Sequence, residues 1–301
     1  MLPTLLILNP RSGRGNNEKH IPVIREFFKA KGIVFDVQVT TCPGDAVRIA
    51  SEAKKNYAII VAGGGDGTVN EVVNGIAGSN NVLGILPLGS GNDFANVLSY
   101  PKKLHDSLQI LTRQHIKSID LGLIEVINSK LEKTAKYFIN AVGIGLDAQV
   151  AYEAKKIYWA RGLTKYALAA VKVIAQYRAE SSFVTSSEFE SAGKHLLISI
   201  GNGKSSGGGF YLTPDAALDD GHLDVCLAKD LSILNILKIF PFVFVGKHGR
   251  FAQIAIKRTK DLVVKTHGDV PVHVDGEMMG LDNREIHVSV IPNGMSVLMP
   301  L

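Results

Sequence analysis

Up to about residue 123, apolar runs at 5–8, 34–39, 57–62 and 82–86 alternate with stretches where apolar residues recur at helical spacing. The helical stretches fall around 19–31, 45–55 and 69–77. Such runs read as buried parallel strands. Glycine and proline cluster directly after these strands, at 9–15, 63–67 and 87–91. Repeated βα units imply a parallel sheet flanked by helices, whose ligands lie beyond the carboxyl ends of the strands. The glycine-rich loops are therefore where a phosphate site is expected.

The rhythm then changes. Strand patterns at 137–142, 182–190, 195–200, 223–227, 262–265, 270–275 and 284–290 are separated by short turns. A second, mainly β domain over 124–301 follows from them, after an α/β domain over 1–123. One long helix, 151–178, interrupts the second domain. Its expected apolar face is Trp159, Leu163, Tyr166, Ala170, Val173 and Tyr177, with Arg161, Lys165 and Lys172 opposite. That polar side reads either as a solvated face or as a basic stripe turned to lipid.

Composition narrows the class. Hydrophobic residues make up 46% and charged residues 20% of the 301, which argues against disorder. A net charge of +5 favours anionic partners such as polyphosphates or a lipid surface, and is too small and scattered to indicate nucleic acid. Cys42 and Cys226 stand alone, so a disulfide framework or zinc module is unsupported and a reducing, cytoplasmic setting fits. The apolar start reads as a first strand rather than a leader. The longest apolar stretch, 231–246, is broken by Lys238 and Pro241, so any membrane contact is expected to be peripheral.

The chemistry concentrates in the loops. Gly63, Gly64, Gly65, Asp66, Gly67 and Thr68 lie between an apolar strand and a helix. Without Cβ atoms the glycines let main-chain N–H groups approach a phosphate, and the following helix adds a partial positive charge. Thr68 offers a hydroxyl. Asp66 would repel a phosphate unless a divalent cation intervenes, and four glycines around one Asp exceed what a tight turn needs. A second loop, Pro87 to Ala95, repeats the recipe with Ser90, Asn92 and Asp93, although either Asn92 or Asp93 alone could be a helix cap. Asn9, Pro10, Arg11, Ser12 and Gly13 add cationic and amide donors at the same end. Together these loops describe a nucleoside-triphosphate site. Gly203-Lys204-Ser205 is not the end of a P-loop, because Ile198 stands where glycine is required. Gly143-Ile144-Gly145 to Ala148 matches a dinucleotide fingerprint only weakly, and close backbone packing explains it better.

The combination of Gly64-Gly65-Asp66-Gly67-Thr68 with the 87–95 loop resembles the catalytic domain of diacylglycerol kinases, in the form of the stand-alone bacterial lipid kinases. The likeness runs on through Asp120-Leu121-Gly122, Asn140 with Gly143 and Gly145, Pro214-Asp215-Ala216 to Gly221, and Asp275-Gly276-Glu277. Ser90 stands where many relatives carry Thr; the hydroxyl is kept. The resemblance implies an NAD kinase/diacylglycerol kinase-like fold in which the last strand is able to return to the first domain. It implies ATP held by Asn9–Gly13, Thr40, Gly64–Thr68 and Ser90. It implies Mg²⁺ linked through water to Asp66, Asp93 and Asp120, and a further Mg²⁺ on the Asp220 side chain and the carbonyls of Ala217 and His222. Glu277, helped by Asp275, would be the general base. A homodimer is compatible with the same resemblance.

Elementary chemistry asks for the same parts. Phosphoryl transfer needs phosphates held in line, charge neutralised and the acceptor hydroxyl oriented, and an alcohol needs a carboxylate to take its proton. Asp275 and Glu277 end an apolar strand, although Asp-Gly by itself is a hairpin turn. Asp215, Asp219, Asp220 and Asp224 form an oxygen-rich segment suited to magnesium, or simply an acidic surface turn. The expected function is ATP-dependent phosphorylation of a membrane lipid: diacylglycerol, phosphatidylglycerol or a sphingoid-like lipid. The alternatives are a phosphotransferase of the NAD kinase type and a non-catalytic nucleotide- or lipid-binding protein.

Overall fold

The computed structural model describes every residue except Met1, Tyr158, Arg161 and Ala175, and the Leu163 side chain is likewise outside the description. The chain forms two compact units, residues 1–119 with 293–301, and residues 120–292.

The first unit is an α/β domain. In chain order its elements are β1 (Thr4–Leu8), α1 (Ile21–Ala30), β2 (Phe35–Val39), α2 (Asp45–Ala53), β3 (Ile59–Gly64), α3 (Asp66–Ile76), β4 (Val82–Pro87), α4 (Asp93–Val97) and α5 (Leu104–Arg113). All pairings are parallel in the order β2-β1-β3-β4. Beyond β4 the sheet is completed by Ser296 and Val297, which pair in parallel with Val82 and Leu83. Every residue of β1 and β3 is buried, while the edge strand β2 alternates half-buried with exposed positions, as an outer strand should. Because the chain leaves β1 toward β2 and then crosses back to β3, right-handed connections place α1 and α2 on opposite faces. α1 packs beside α5, and α2 beside α3. The reversal leaves a switch point between the carboxyl ends of β1 and β3, where open α/β sheets bind ligands. α3 begins at Asp66, three residues before the apolar periodicity suggests, because Gly67 and Thr68 already belong to its first turn.

The second unit is mainly β. It contains β5 (Ile116–Asn128, entering from the first unit), β6 (Lys133–Phe138), β7 (Ala141–Gly145), α6 (Leu146–Lys155), α7 (Gly162–Ile174), β8 (Glu180–Thr185), β9 (Glu190–Gly201), β10 (Leu223–Lys229), α8 (Ile233–Val243), β11 (Ile254–Thr259), β12 (Asp261–Val270), β13 (Val272–Val274), β14 (Glu277–Met278) and β15 (Asn283–Leu298). β9 is the organising strand. Its first half pairs with β8 and its second with β7, while β10 follows its other edge. Side chains from ten strands, among them Phe138, Val142, Ile200, Val225, Val264 and Ile286, fill one continuous core.

Two expectations fail here. The single helix over 151–178 is two helices: α6 and α7 pack on each other, so the chain must turn back between them. Glu153 Oε2 on α6 ties them together through Lys172 Nζ on α7, at 2.6 Å. Trp159 lies in the connection and is 79% exposed, not on a buried face, whereas Ala170 and Val173 are buried as expected. Arg161 and the Leu163 side chain lie outside the described residues. The strand expected over 137–142 is broken after Phe138, where Asp275 takes the amides of Ile139, Asn140 and Ala141. No helix among the described residues is long and apolar enough to cross a membrane.

Candidate active site

At the switch point of the first unit the three glycine loops meet through their main chains. A Cβ on Gly13, whose φ is +64°, would lie 2.3 Å from the Leu88 carbonyl oxygen. One on Gly89 would lie 2.4 Å from the Gly65 Cα, and one on Gly64 would lie 2.3 Å from Thr68 Oγ1. Glycine is thus required by contact between loops, not only by turn geometry. The first loop is fixed by Asn9. Its N–H donates to the Gly63 carbonyl at 2.8 Å and its Nδ2 to Thr68 Oγ1 at 3.1 Å. Asn17, which belongs to no motif, is buried and donates from Nδ2 to Asn9 O, Ser12 O and Ser12 Oγ. Arg11 extends exposed from the same loop, and Thr40 is held at the end of β2 by its N–H on the Leu8 carbonyl, 2.9 Å.

The acidic residues sit at helix starts. Asp66 opens α3 and accepts the Phe94 N–H at 3.2 Å; Asp93 opens α4. Both approach Gly91, where an added Cβ would lie 3.2 Å from Asp66 Oδ2 and 3.8 Å from Asp93 Oδ1. Two carboxylates facing a space that one Cβ would fill suit a divalent cation. Asn92, at φ +55°, accepts the Gly89 N–H on its side-chain oxygen and returns a bond to the Gly89 carbonyl, so it closes the second loop instead of capping α4. Ser90 is exposed at the loop tip.

In the second unit, Asp275 and Gly276 form the two-residue turn between β13 and β14, both with positive φ (+49° and +81°), which suits a tight hairpin. The turn is also a clamp. The Asp275 carboxylate accepts the N–H groups of Ile139, Asn140 and Ala141 at 2.9–3.0 Å. Glu277, the next residue of the hairpin, is half exposed and pairs through Oε2 with Lys155 Nζ of α6 at 2.9 Å. Beneath it, buried His273 accepts the Gly276 N–H on Nδ1 at 3.3 Å and turns Nε2 to Asp147 Oδ2 at 3.5 Å. Gly143 leaves the room for this pair: its Cβ would lie 2.3 Å from His273 Nε2 and 2.5 Å from Asp147 Oδ2. That is the close packing expected of the Gly143–Gly145 stretch. Lys155 and Asp147 are hidden by their distance in sequence from the hairpin, and His273, two residues before Asp275, by its place in an otherwise apolar strand.

Asp120 is buried in the same network. Its N–H donates to the Leu218 carbonyl and its Oδ2 accepts the Gly221 N–H, both at 2.6 Å, so it braces the acidic loop. Fully buried Asn202 donates from Nδ2 to the carbonyls of Asp120 and Ile139, joining that loop to the amides held by Asp275. In the loop itself, Asp220 accepts the His222 N–H on Oδ1 at 3.0 Å and meets Arg258 on Oδ2 at 2.5 Å. Asp224 is buried, and desolvation pushes its carboxyl up to about 6 against the pull of Arg258. Its Oδ2 has no hydrogen-bond partner. Arg258 Nε stands 4.0 Å from that oxygen, and a buried carboxylate oxygen short of hydrogen bonds fits a hard cation. Among the described residues no three His, Cys, Asp or Glu side chains converge as a metal cluster, so a cation here would depend on carbonyl groups.

Residues 3–124 match the model of the diacylglycerol kinase catalytic domain, and residues 140–299 match that of the YegS C-terminal NAD kinase beta sandwich-like domain. A Yersinia pestis (strain Pestoides F) protein named probable lipid kinase YegS-like is 31% identical over 99% of this chain and 97% of its own length. The Bacillus subtilis (strain 168) diacylglycerol kinase is 29% identical over 92% of this chain and 90% of its own. Among solved structures, a diacylglycerol kinase from Bacillus anthracis superimposes with a TM-score of 0.74 at 21% identity, over 99% of this chain and 97% of that one. Yeast NADH kinase complexed with NADH shares the fold at a TM-score of 0.59 and 10% identity, over all of this chain and 84% of that one.

Proposed function

This chain belongs to the diacylglycerol kinase catalytic-domain family, among the YegS-like lipid kinases, and we propose that it transfers the γ-phosphate of ATP to a primary hydroxyl of a membrane lipid. The observation that carries the reading is the main-chain meeting of Gly13 with Leu88 and of Gly65 with Gly89, which presses three loops together at the helix start of α3. Such a floor of amides receives phosphates.

In this reading ATP is held by Asn9, Pro10, Arg11, Ser12 and Gly13, by Thr40, by the Gly64–Thr68 loop, and by Ser90 and Asn92. Asp66, Asp93 and Asp120 would hold Mg²⁺, and the Asp220 side chain with the carbonyls of Ala217 and His222 would hold a further one. Bound magnesium would neutralise charge on the phosphates. Glu277 takes the proton of the lipid hydroxyl as that oxygen bonds to the γ-phosphorus and the bond to the β-phosphate oxygen breaks, releasing ADP. Asp275 and His273 hold the hairpin that presents Glu277, and Lys155 orients its carboxylate. The lipid is diacylglycerol or a relative such as phosphatidylglycerol or a sphingoid lipid, reached by peripheral contact with an anionic membrane.

Transfer of labelled phosphate from ATP with Mg²⁺ to a panel of these lipids in mixed micelles, with NAD in parallel, tests the reading. Label on a lipid is expected. Label on NAD alone would move the activity to a soluble nucleotide, and no label anywhere would leave a binding protein.

A further inference from the structure

β9 runs into a loop of small residues, Asn202-Gly203-Lys204-Ser205-Ser206-Gly207-Gly208-Gly209, in which Lys204 alone carries a charge. The main chain is pinned on either side of that lysine. The N–H groups of Asn202 and Gly203 both donate to the Asn140 carbonyl, at 2.8 and 2.9 Å, and the Thr213 hydroxyl donates to the Gly203 carbonyl at 2.9 Å. Beyond the lysine, Asn140 Nδ2 donates to the Ser205 carbonyl at 3.0 Å. Asn140 is itself gripped by Asp275 through its own N–H. One asparagine thus ties the lysine loop to the hairpin that carries Glu277.

Tyr166 of α7 makes the same connection. A Cβ on Gly207, whose φ is +60°, would lie 3.5 Å from Tyr166 Cδ1, and one on Gly276 would lie 3.8 Å from Tyr166 Oη. The ring therefore has the loop at one end and the hairpin at the other.

Two groups in this neighbourhood are unmatched. Lys204 is exposed and enters no ion pair among the described residues, whereas Lys155, Lys156 and Lys172, in and beside α6 and α7, each hold a carboxylate at 2.5–2.9 Å. Asn140 Oδ1 is buried and accepts no hydrogen bond from the described residues. Buried acceptors are nearly always paired, so this oxygen fits a hydroxyl donor. An ammonium on a fixed base fits an anion. Solubility asks for a charge but not for both its neighbours to be fixed, which costs conformational entropy.

We propose that Lys204 is a further catalytic residue, donating from Nζ to a phosphate oxygen beside Glu277; the inference rests on the lipid-kinase reading above. Lys155 is occupied by Glu277, and Lys204 supplies the cation that offsets charge on the phosphate oxygens. That phosphate is either the γ-phosphoryl group in transfer or the phosphodiester of an anionic acceptor such as phosphatidylglycerol.

The test uses the full-length chain with Lys204→Met, which removes the charge and keeps an unbranched stem, and Lys204→Arg, which keeps the charge. Turnover is measured on dihexanoylglycerol and dihexanoyl-phosphatidylglycerol, soluble acceptors that need no bilayer. In parallel, acetylation of Lys204 by an N-hydroxysuccinimide ester is read by mass spectrometry in the presence of three probes. These are ADP with Mg²⁺, the same with aluminium fluoride, and dihexanoyl-phosphatidylglycerol. Losing a hydrogen bond to a charged group should lower kcat/KM for the acceptor about tenfold to a hundredfold in Lys204→Met. KM for ATP should stay within twofold, and Lys204→Arg should recover most of the loss. An equal loss on both acceptors, with protection only by aluminium fluoride, identifies the γ-phosphoryl group. A loss confined to phosphatidylglycerol, with protection by that lipid, identifies the headgroup. Lys204→Met within twofold of wild type on both acceptors, or a Lys204 that every probe leaves fully reactive, overturns the proposal. Protection of Lys204 without transfer to either acceptor keeps the phosphate site and removes the kinase reading. Transfer at equal rates in all three proteins does the reverse.

Discussion

At the carboxyl ends of β1, β3 and β4 backbone meets backbone, whereas at the Asp275 hairpin backbone meets side chains. In the first unit Gly13, Gly65 and Gly89 touch neighbouring main chain directly, and a single added Cβ would collide. In the second, three amides converge on one carboxylate and a buried imidazole holds the next peptide. The first kind of site depends on the absence of side chains, the second on their presence. Substitutions should therefore injure the two in different ways.

The largest effect is expected at Glu277. Glu277→Gln keeps the shape and removes the base, so kcat should fall about 10²–10⁴-fold while KM for ATP stays within twofold. A rate within a few-fold of wild type would falsify the role. Next comes Asp275→Ala, which orphans three amides at about 1–3 kcal/mol each before relaxation. Denaturant unfolding should report a loss of about 3 kcal/mol, with turnover falling more than nucleotide affinity. If stability held and only ATP binding weakened, the division between the two sites would be drawn wrongly.

Gly89→Ala should do the opposite. Overpacking against the Gly65 Cα costs roughly 1–3 kcal/mol, to be seen by calorimetry as ATP binding weakened roughly tenfold to a hundredfold, while the Asp275 network is untouched. The smallest effect sharpens the comparison by pH. Burial holds the imidazoles of His195 and His248, both in the second unit, below the ordinary histidine value. The unfolded chain therefore binds protons more readily below about pH 6.5, and the stability these groups protect is complete above that pH and drains as pH falls through their folded values. Melting temperatures from pH 7.5 to 5 should fall less in His195→Gln than in the wild type; identical curves would remove His195 as a contributor.

The same contrast explains what the sequence made legible. A site made of missing side chains writes itself locally: glycines crowd around Asp66 and Asp93, each directly after an apolar run, and strand, loop and helix can be placed together. The Asp275 turn could be seen too, but not what it grips, because Ile139 to Ala141 lie more than a hundred residues earlier in the chain. Lys155 and Asp147 stayed hidden for the same reason. The long helix over 151–178 misled because helical periodicity continues through two helices that pack on each other; periodicity reports which side is buried, not where the axis reverses. Asn17 had no signal at all, since a buried asparagine that staples a loop looks like any other polar residue near a turn.

The route of the last strand bears on how the protein is made. Ser296 and Val297 complete the sheet of the first unit beside β4, and the Tyr100 hydroxyl donates to the Leu298 carbonyl at 2.6 Å. During synthesis the first unit must therefore wait, one strand short and with the edge of β4 bare, until the whole second unit has emerged. An isolated 1–119 fragment should expose that edge and self-associate, and supplying the 293–301 segment in trans should quiet it.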